Sequence, residues 1–184
     1  MKAEDFRISK LGKATIASPI RQIEFISDEA SVAYDSDPHL LAQYLRRGVE
    51  IPAFEQAGPR AKIYHDPAWT KAAILTAGGL CPGLNDVIKF LTRTLRIQYG
   101  VPLVYGIRYG YRGLNPDHKL QPILLDDANT DDIHESGGTI LGSSRGAEDP
   151  VVMVDTLARM NINVLFCIGG DGTARGAHDI AQEA

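Results

Sequence analysis

The chain has 184 residues, of which 44% are hydrophobic and 23% are charged, and it carries a net charge of −4 at neutral pH. This composition is ordinary for a globular protein with a real core, and the acidic balance argues against a nucleic-acid partner. No apolar run approaches the roughly 20 residues that a helix needs to cross a membrane, so we expect no membrane partner.

The first 70 residues (1–70) are predicted to form an N-terminal extension. Their hydrophobic periodicity is weak, and prolines interrupt them at positions 19, 38, 52, 59 and 67. One short helix is predicted by Leu40, Leu41, Tyr44 and Leu45. We expect the remainder to be an extended arm that packs on another surface.

From residue 71 the sequence alternates between strand and helix patterns, and residues 71–184 are predicted to form a domain. Apolar runs at 72–76 and 101–107 predict buried strands, and 121–125 predicts a short one. Between the first two runs, apolar residues recur at helical spacing from Leu84 to Leu95, and Gly100 is expected to end that helix.

The second half of this domain continues the alternation. Thr130 is expected to cap a short helix through Ile133, and the apolar run 139–141 is interpreted as a strand. Asp149 and Pro150 predict the start of a helix, which a strand at 163–168 and a helix at 174–184 follow. This order predicts an α/β fold, with a Rossmann-like, mostly parallel sheet and helices on both faces.

Three glycine-rich loops follow predicted strands, at residues 76–83, 142–146 and 169–173. In an open α/β sheet, loops at the carboxyl ends of strands converge on one edge, where ligands bind. Glycines let backbone N–H groups approach an anion, and a following helix adds partial positive charge. One such loop is also what a tight turn needs, but three together indicate a phosphate site.

The third loop contains an aspartate, Asp171, which does not suit a bare phosphate site. A carboxylate repels phosphate unless a cation lies between them, so this loop indicates Mg²⁺ with a polyphosphate. Arg145 is a candidate for neutralising phosphate charge during phosphoryl transfer, or else a surface arginine. Tyr111 is a candidate for stacking on a base, or else a packing tyrosine.

Other chemistries find little support in the sequence. No GxGxxG follows the first strand and no GxxxxGK[ST] occurs, which disfavours a standard dehydrogenase or a P-loop NTPase. The histidines are scattered without metal-ligand spacing. Cys81 and Cys167 stand in unrelated contexts, so we expect reduced thiols in a cytoplasmic protein.

Four segments together resemble the 6-phosphofructokinase family, in the family's order and at its spacing. They are Ala-Gly-Gly-Leu-Cys-Pro-Gly-Leu-Asn at 77–85, Gly-Tyr-Arg-Gly-Leu at 110–114, Leu-Gly-Ser-Ser-Arg-Gly at 141–146 and Gly-Gly-Asp-Gly-Thr at 169–173. The Gly-Gly-Leu-Cys-Pro-Gly variant is similar to the longer branch found in plants, protists and some bacteria. Residues 57–64 also resemble the segment that leads into the first strand of that branch.

The resemblance implies transfer of a phosphoryl group from ATP or pyrophosphate to the 1-hydroxyl of fructose 6-phosphate, in glycolysis. It implies that Gly79 contacts the nucleotide phosphates through its backbone and that Arg145 and Gly146 flank the nucleotide, with Arg145 near the transferred phosphoryl. Tyr111 would lie near the adenine. Phosphate contacts are implied for Gly170, Asp171, Gly172 and Thr173, and Asp171 would bind Mg²⁺.

The resemblance also bears on the phosphoryl donor. Family members that use pyrophosphate typically carry a second aspartate at the position of Gly172, where it crowds the space of an ATP α-phosphate. The glycine leaves that space open, so ATP is the favoured co-substrate. The alternative is a pyrophosphate-dependent enzyme, since a second determinant lies further along the family's sequence.

The family's catalytic base belongs to a Thr-Ile-Asp-Asn-Asp motif that does not occur in these 184 residues. Most of the sugar-phosphate site is missing too, so we expect an N-terminal fragment without kinase activity of its own. A non-catalytic nucleotide-binding regulatory module is a further alternative. A lipid or NAD kinase relative is disfavoured, because those families share Gly-Gly-Asp-Gly but lack the other loops. Family membership implies a homo-oligomer, a dimer or tetramer, for the full-length protein.

Overall fold

The structure is a computed structural model that describes residues 2–21 and 24–184. The chain forms two compact units, Met1–Tyr64 and His65–Ala184. The division predicted from the sequence lies near residue 70, at the first strand of the second unit. Within the described residues, every helix is too short or too polar to cross a membrane.

The described residues of the first unit form one α-helix, a 3-10 turn over Ala3–Phe6 and two small antiparallel sheets. Helix α1 spans Pro38–Arg47, which confirms the short helix predicted there. The Asp37 carboxylate accepts a hydrogen bond from the backbone N–H of His39, and this contact caps the helix. The sheets pair β1 (Ile16–Ala17) with β4 (Lys62–Ile63), and β2 (Ser31–Ala33) with β3 (Ala53–Glu55).

Apolar side chains of the first unit pack on one another without forming a buried core. The Phe6 ring lies 4.9 Å from that of Phe54 and 5.1 Å from that of Tyr34, between ring centroids. Among the described residues of this unit, Pro52 alone is buried. Apolar burial within the unit therefore contributes little stability. That this segment packs on another surface stays a prediction.

The second unit is built on a four-stranded sheet with the order β7-β6-β5-β8. Strands β6 and β8 both run parallel to β5, and β7 pairs antiparallel with β6 at the edge. These strands confirm four of the five predicted ones, and no strand forms over 139–141. Their bounds are Lys71–Thr76 for β5, Leu103–Ile107 for β6, Ile123–Leu124 for β7 and Val164–Ile168 for β8.

The helices of this unit cover both faces of the sheet. Alternate residues of β5 belong to two separate cores: Ala72 and Ile74 pack with Ile88 of the first helix, whereas Ala73 and Leu75 pack with residues of the last two helices. The predicted α/β fold is confirmed. The helices are α2 (Leu84–Arg93, continued by a π-helical turn over Thr94–Gln98), α3 (Asp127–Thr130), α4 (Pro150–Met160) and α5 (Asp171–Glu183).

Two helix starts differ from the predicted ones. Asp126, not Thr130, caps α3, because its carboxylate accepts from the backbone N–H of Asn129 while the Asn129 side chain accepts from the N–H of Asp126. Thr130 is instead the last residue of α3, and its hydroxyl donates to the Asp126 carbonyl at 2.6 Å. Helix α5 begins at Asp171, three residues before the predicted start at Ala174, with Gly170 as its N-cap.

Side chains of α2 hold the segment 131–141, which leads into the second glycine loop. Asn85 is buried, donates to the Ser136 carbonyl at 2.9 Å and accepts from the N–H of Ile140 at 2.9 Å. Buried Lys89 donates to the Asp131 carbonyl and lies 3.1 Å from Nδ1 of His134. A segment with little regular structure is thereby fixed to α2.

The interior of β6 has room for a glycine only. A Cβ atom on Gly106 would overlap a methyl group of Leu141 and lie 3.3 Å from both terminal carbons of Leu125, and both leucines are buried. Gly106→Ala is therefore expected to lower the free energy of unfolding by about 1–3 kcal/mol, measured by urea denaturation. A Cβ on Gly137 meets nothing within 4 Å, so Gly137→Ala is the control, and equal losses in the two variants would contradict this packing.

Candidate functional site

The candidate site is a cleft of about 540 Å³ at the carboxyl ends of β5 and β8. The structure brings the three predicted glycine loops together around it. The first loop contributes Gly78 and Gly79, the second contributes residues 144–146, and the third contributes Gly170, Gly172 and Thr173.

The second loop reaches the cleft by a route that differs from the predicted one. Residues 139–141 lead into a turn and form no strand. The hydroxyl of Thr76, at the end of β5, lies 2.9 Å from that of Thr139 and donates to the Gly142 carbonyl at 2.8 Å. Because Thr76 is buried, these hydrogen bonds replace a strand ladder in holding the loop beside the sheet edge.

Backbone and hydroxyl groups tie the first two loops to each other. The Gly78 N–H donates to the Ser144 carbonyl at 3.1 Å, and the Ser143 hydroxyl donates to the Gly78 carbonyl at 2.7 Å. The Ser144 hydroxyl donates to the Tyr109 carbonyl at 2.6 Å. The serines of the Gly-Ser-Ser-Arg-Gly motif therefore shape the loop, and its arginine is left at the exposed tip.

The third loop presents free backbone N–H groups to the cleft. The first hydrogen bond within α5 runs from the Ala174 N–H to the Gly170 carbonyl, so the N–H groups of Asp171, Gly172 and Thr173 have no partner in the helix. No side chain of the described residues caps this helix start. Unpaired N–H groups and the positive end of the helix dipole make this position suitable for an anion.

Thr173 plays a structural part in this loop. Its side chain is buried, and its hydroxyl donates to the Ala77 carbonyl at 3.1 Å. A Cβ atom on Gly169 would overlap that hydroxyl and the Ala77 carbonyl, so the glycine is what allows this approach. A phosphate contact from Thr173 would therefore use its backbone N–H.

The predicted site residues divide into those that line the cleft and one that does not. Lining residues are Gly79, Tyr111, Arg145, Gly146, Gly170, Gly172 and Thr173. Asp171 lies at the first position of α5, exposed to solvent and outside the cleft lining. Its carboxylate makes no hydrogen bond or ion pair with any other described residue.

The chemistry around Asp171 fits a cation that a nucleotide brings with it. In residues 2–21 and 24–184, no group of three or more His, Cys, Asp or Glu side chains is arranged to hold a metal ion. Mg²⁺ typically takes one or two carboxylates from a protein and completes its shell with phosphate oxygens and water. A single free carboxylate beside an anion site matches that requirement.

Tyr111 is a packing residue with its hydroxyl turned towards α5. It is 5% exposed, and its hydroxyl donates to the Thr173 carbonyl at 2.5 Å. A Cβ on Gly176 would lie 2.5 Å from its ring, so ring and helix are in close contact. Burial, together with the neighbouring Cys167 thiol, raises the pKa of Tyr111 well above its usual value. The structure thus supports the packing alternative, and little of the ring is free to stack on a base.

Several cleft residues are not indicated by the sequence motifs. Arg175, Gly176 and Asp179 follow Gly172 at helical spacing and line the same cleft. They lie three, four and seven residues after Gly172, so helical periodicity places them on the same face of α5 as Gly172. Glu148 also lines the cleft, but its partners lie about thirty residues earlier in the chain, and no local pattern indicates them.

Glu148 is the most tightly held charged group of the cleft. Its carboxylate accepts from Nδ2 of Asn115 at 2.7 Å and lies 2.9 Å from Nε2 of His118. Burial alone raises the pKa of this carboxyl, but the hydrogen bonds from Asn115 and His118, together with the electrostatic effect of the nearby His118 and Arg112 side chains, outweigh burial and hold the pKa below its ordinary value. The carboxylate is therefore ionised at neutral pH.

Removing the hydroxyl of Tyr111 tests its link to α5. Tyr111→Phe is expected to lower the free energy of unfolding by about 1 kcal/mol, because a buried hydrogen bond to the Thr173 carbonyl is lost while the ring remains. The measurement is urea denaturation. Tyr109→Phe is the control, since Tyr109 is 40% exposed and its hydroxyl has no hydrogen bond among the described residues. Equal effects of both changes would contradict the assigned contact.

The lowered pKa of Glu148 predicts a pH dependence of stability. Glu148→Gln is expected to lower the free energy of unfolding by about 1 kcal/mol at pH 7. A depressed folded-state pKa contributes stability above the unfolded-state pKa, and this contribution disappears as the pH falls through the folded-state value. The difference in the free energy of unfolding between wild type and Glu148→Gln, measured by urea denaturation, is thus expected to disappear below about pH 4.

The control for this pH series is Glu135→Gln, which removes an exposed carboxyl that has no ion pair among the described residues. It is expected to change the free energy of unfolding by less than about 0.5 kcal/mol at every pH. If Glu148→Gln lowers the free energy of unfolding by the same amount at pH 3 and at pH 7, the assigned ionisation of Glu148 is contradicted.

Relatives among curated proteins are phosphofructokinases by name. The chain is 46% identical over 185 residues to the ATP-dependent 6-phosphofructokinase of Borreliella burgdorferi, and 41% identical over 182 residues to that of Amycolatopsis methanolica. These matches cover 97% and 95% of this chain but 41% and 39% of the relatives. The chain therefore spans about two fifths of the length of these relatives.

Comparison with solved structures gives the same fold. The crystal structure of Pichia pastoris phosphofructokinase in the T-state matches with a TM-score of 0.56 at 23% identity, over 89% of this chain and 20% of that one. A family model described as Phosphofructokinase matches residues 71–184, which contain all three glycine loops and the cleft they form. On the strength of that match over most of its length, the chain belongs to the phosphofructokinase family.

Proposed function

We propose that this chain is the nucleotide-binding part of an ATP-dependent 6-phosphofructokinase of glycolysis. The full-length enzyme would transfer the γ-phosphoryl group of MgATP to the 1-hydroxyl of fructose 6-phosphate. The observation that carries this proposal is the cleft at the sheet edge, where three glycine loops meet the unpaired N–H groups of α5. The names of the curated relatives support the same donor.

The residues of the cleft suit the parts of a triphosphate. The N–H groups at the start of α5 would bind phosphate oxygens, and the Gly79 backbone, which has open space beside it, would approach from the other side. Arg145 and Gly146 lie at the exposed tip of the second loop, where the guanidinium would meet the transferred phosphoryl group. Tyr111 would support α5 from beneath the nucleotide.

Asp171 is the residue we propose for holding Mg²⁺. Its free carboxylate stands at the helix start, next to the N–H groups that would bind phosphate. When bound, the ion supplies neutralisation of the phosphate charge and orientation of the phosphoryl group. The protein part of the site would then be one carboxylate, two loops of backbone N–H groups and one guanidinium.

Donor choice follows from the space at Gly172. A Cβ atom at this position meets nothing within 4 Å, so the cleft is open where the α-phosphate of ATP would lie. Pyrophosphate has no third phosphate to fill that space. The openness therefore favours ATP over pyrophosphate as the donor.

The remaining parts of the proposal come from family membership. The catalytic base and most of the sugar-phosphate site would lie in sequence that these 184 residues do not contain. We propose that the full-length protein is a cytoplasmic homo-oligomer, a dimer or tetramer. Fructose 6-phosphate would be its second substrate.

Calorimetric titration with MgATP and with magnesium pyrophosphate tests the proposed donor. Wild type is expected to bind MgATP. Gly172→Asp is expected to weaken MgATP binding by about tenfold or more, because the new carboxylate fills the space of the α-phosphate and repels its charge. Pyrophosphate binding is expected to change by less than about threefold.

The matched control is Ala174→Asp, which adds the same charge two residues further along α5 at an exposed position outside the cleft lining. Its MgATP affinity is expected to stay within about twofold of wild type. Tighter binding of pyrophosphate than of ATP by wild type would overturn the proposed donor.

A further inference from the structure

The loop that carries Arg145 has two different kinds of anchor. On its N-terminal side, Ser143 and Ser144 bind backbone carbonyls of neighbouring segments, as described above. Residues 145–147 are all exposed. On the C-terminal side, the loop is next held at Glu148, just before Asp149 caps α4. The position of the exposed tip therefore depends on how firmly Glu148 is fixed.

The partners of Glu148 are themselves fixed in place. Oδ1 of Asn115 accepts from the N–H of Asp117 at 3.0 Å, which leaves its Nδ2 group to donate to Glu148. His118 ends the short 3-10 helix that Asn115 caps. Nη2 of Arg112 lies 3.5 Å from Nδ1 of His118, on the side of the ring away from Glu148. Both hydrogen bonds thus come from a preorganised turn.

The same contacts affect the charge balance of the cleft. Arg145 and Arg175 line it together with the acidic groups Glu148 and Asp179. A Glu148 carboxylate without its partners would be free to pair with the Arg145 guanidinium three residues earlier in the same loop. Such a pair would neutralise the cation and compete with any phosphate group for it.

We propose that Glu148, held by Asn115 and His118, is a positioning residue that fixes loop 145–147 and keeps the Arg145 guanidinium free for the terminal phosphoryl group of the nucleotide. The inference rests on the proposed function, because Arg145 is taken to face that group. It assigns the turn at 115–118 a part in binding, although Asn115 and His118 are not among the residues that line the cleft.

Calorimetric titration with MgATP and MgADP separates positioning from a general structural role. Glu148→Ala is expected to weaken MgATP binding by about tenfold and MgADP binding by less than about threefold, since only ATP carries the terminal phosphoryl group. Glu148→Gln can accept from one of the two donors and is expected to restore part of the loss. Because Glu148→Ala removes the carboxylate, it tests only the anchoring of the loop. His118→Ala leaves that carboxylate free to pair with Arg145 and is expected to weaken MgATP binding at least as much as Glu148→Ala does.

The matched control is Asp155→Ala, which removes an exposed carboxyl on α4 outside the cleft lining. It is expected to leave both affinities within about twofold of wild type. Equal weakening of MgATP and MgADP by Glu148→Ala means that Glu148 only stabilises the fold and overturns the inference, as does unchanged binding of both nucleotides. Failure of wild type to bind either nucleotide overturns the proposed function instead.

A second measurement examines the contact without any nucleotide. The ¹H–¹⁵N signals of the His118 imidazole are expected to report a proton on Nε2, the nitrogen that faces Glu148, and to shift in Glu148→Ala but not in Asp155→Ala. Imidazole signals that do not respond to Glu148→Ala would show that the contact is not formed in solution and would overturn the inference separately from the nucleotide result.

Discussion

The close approach of the β5 turn and the first turn of α5 determines the geometry of the site. The Thr173 hydroxyl reaches the Ala77 carbonyl only because Gly169 has no side chain in between. Parallel pairing of β5 with β8 brings the two strand ends to one edge, and this hydrogen bond then locks the loops that follow them. Displacing either turn would separate the helix N–H groups from the first glycine loop.

The second constraint is electrostatic. The start of α5 leaves three N–H groups unpaired in the helix, and two guanidinium groups line the cleft, so these groups favour an anion. Glu148 and Asp179, the acidic groups that line the same cleft, oppose this attraction unless hydrogen-bond donors hold them. Glu148 is occupied by two donors from a neighbouring turn, whereas Asp171 is unpaired and turned to solvent, where it suits a cation. Two carboxylates near one site thus have different chemistry because their surroundings differ.

Local patterns predicted most of the second unit. The apolar run of β5, the amphipathic α2 and the Asp149-Pro150 start of α4 are each encoded within a few residues, and each formed where expected. The prediction that Thr130 caps a helix was wrong. Asp126 and Asn129 each accept a hydrogen bond from the other's backbone N–H, and this reciprocal pair caps α3 instead. The contacts of Glu148 and the support of loop 142–146 by Thr76 depend on residues far apart in sequence. No periodicity contains such information, and only the folded sheet brings these groups together.

Strand β8 has a consequence for the behaviour of the molecule in solution. Among the described residues it pairs only with β5, and all five of its side chains are only partly buried. Its outer edge therefore presents a row of free N–H and C=O groups beside apolar side chains, which is a template for adding another strand. In a concentrated sample a strand from another molecule would be able to pair with this edge, directly beside the candidate cleft.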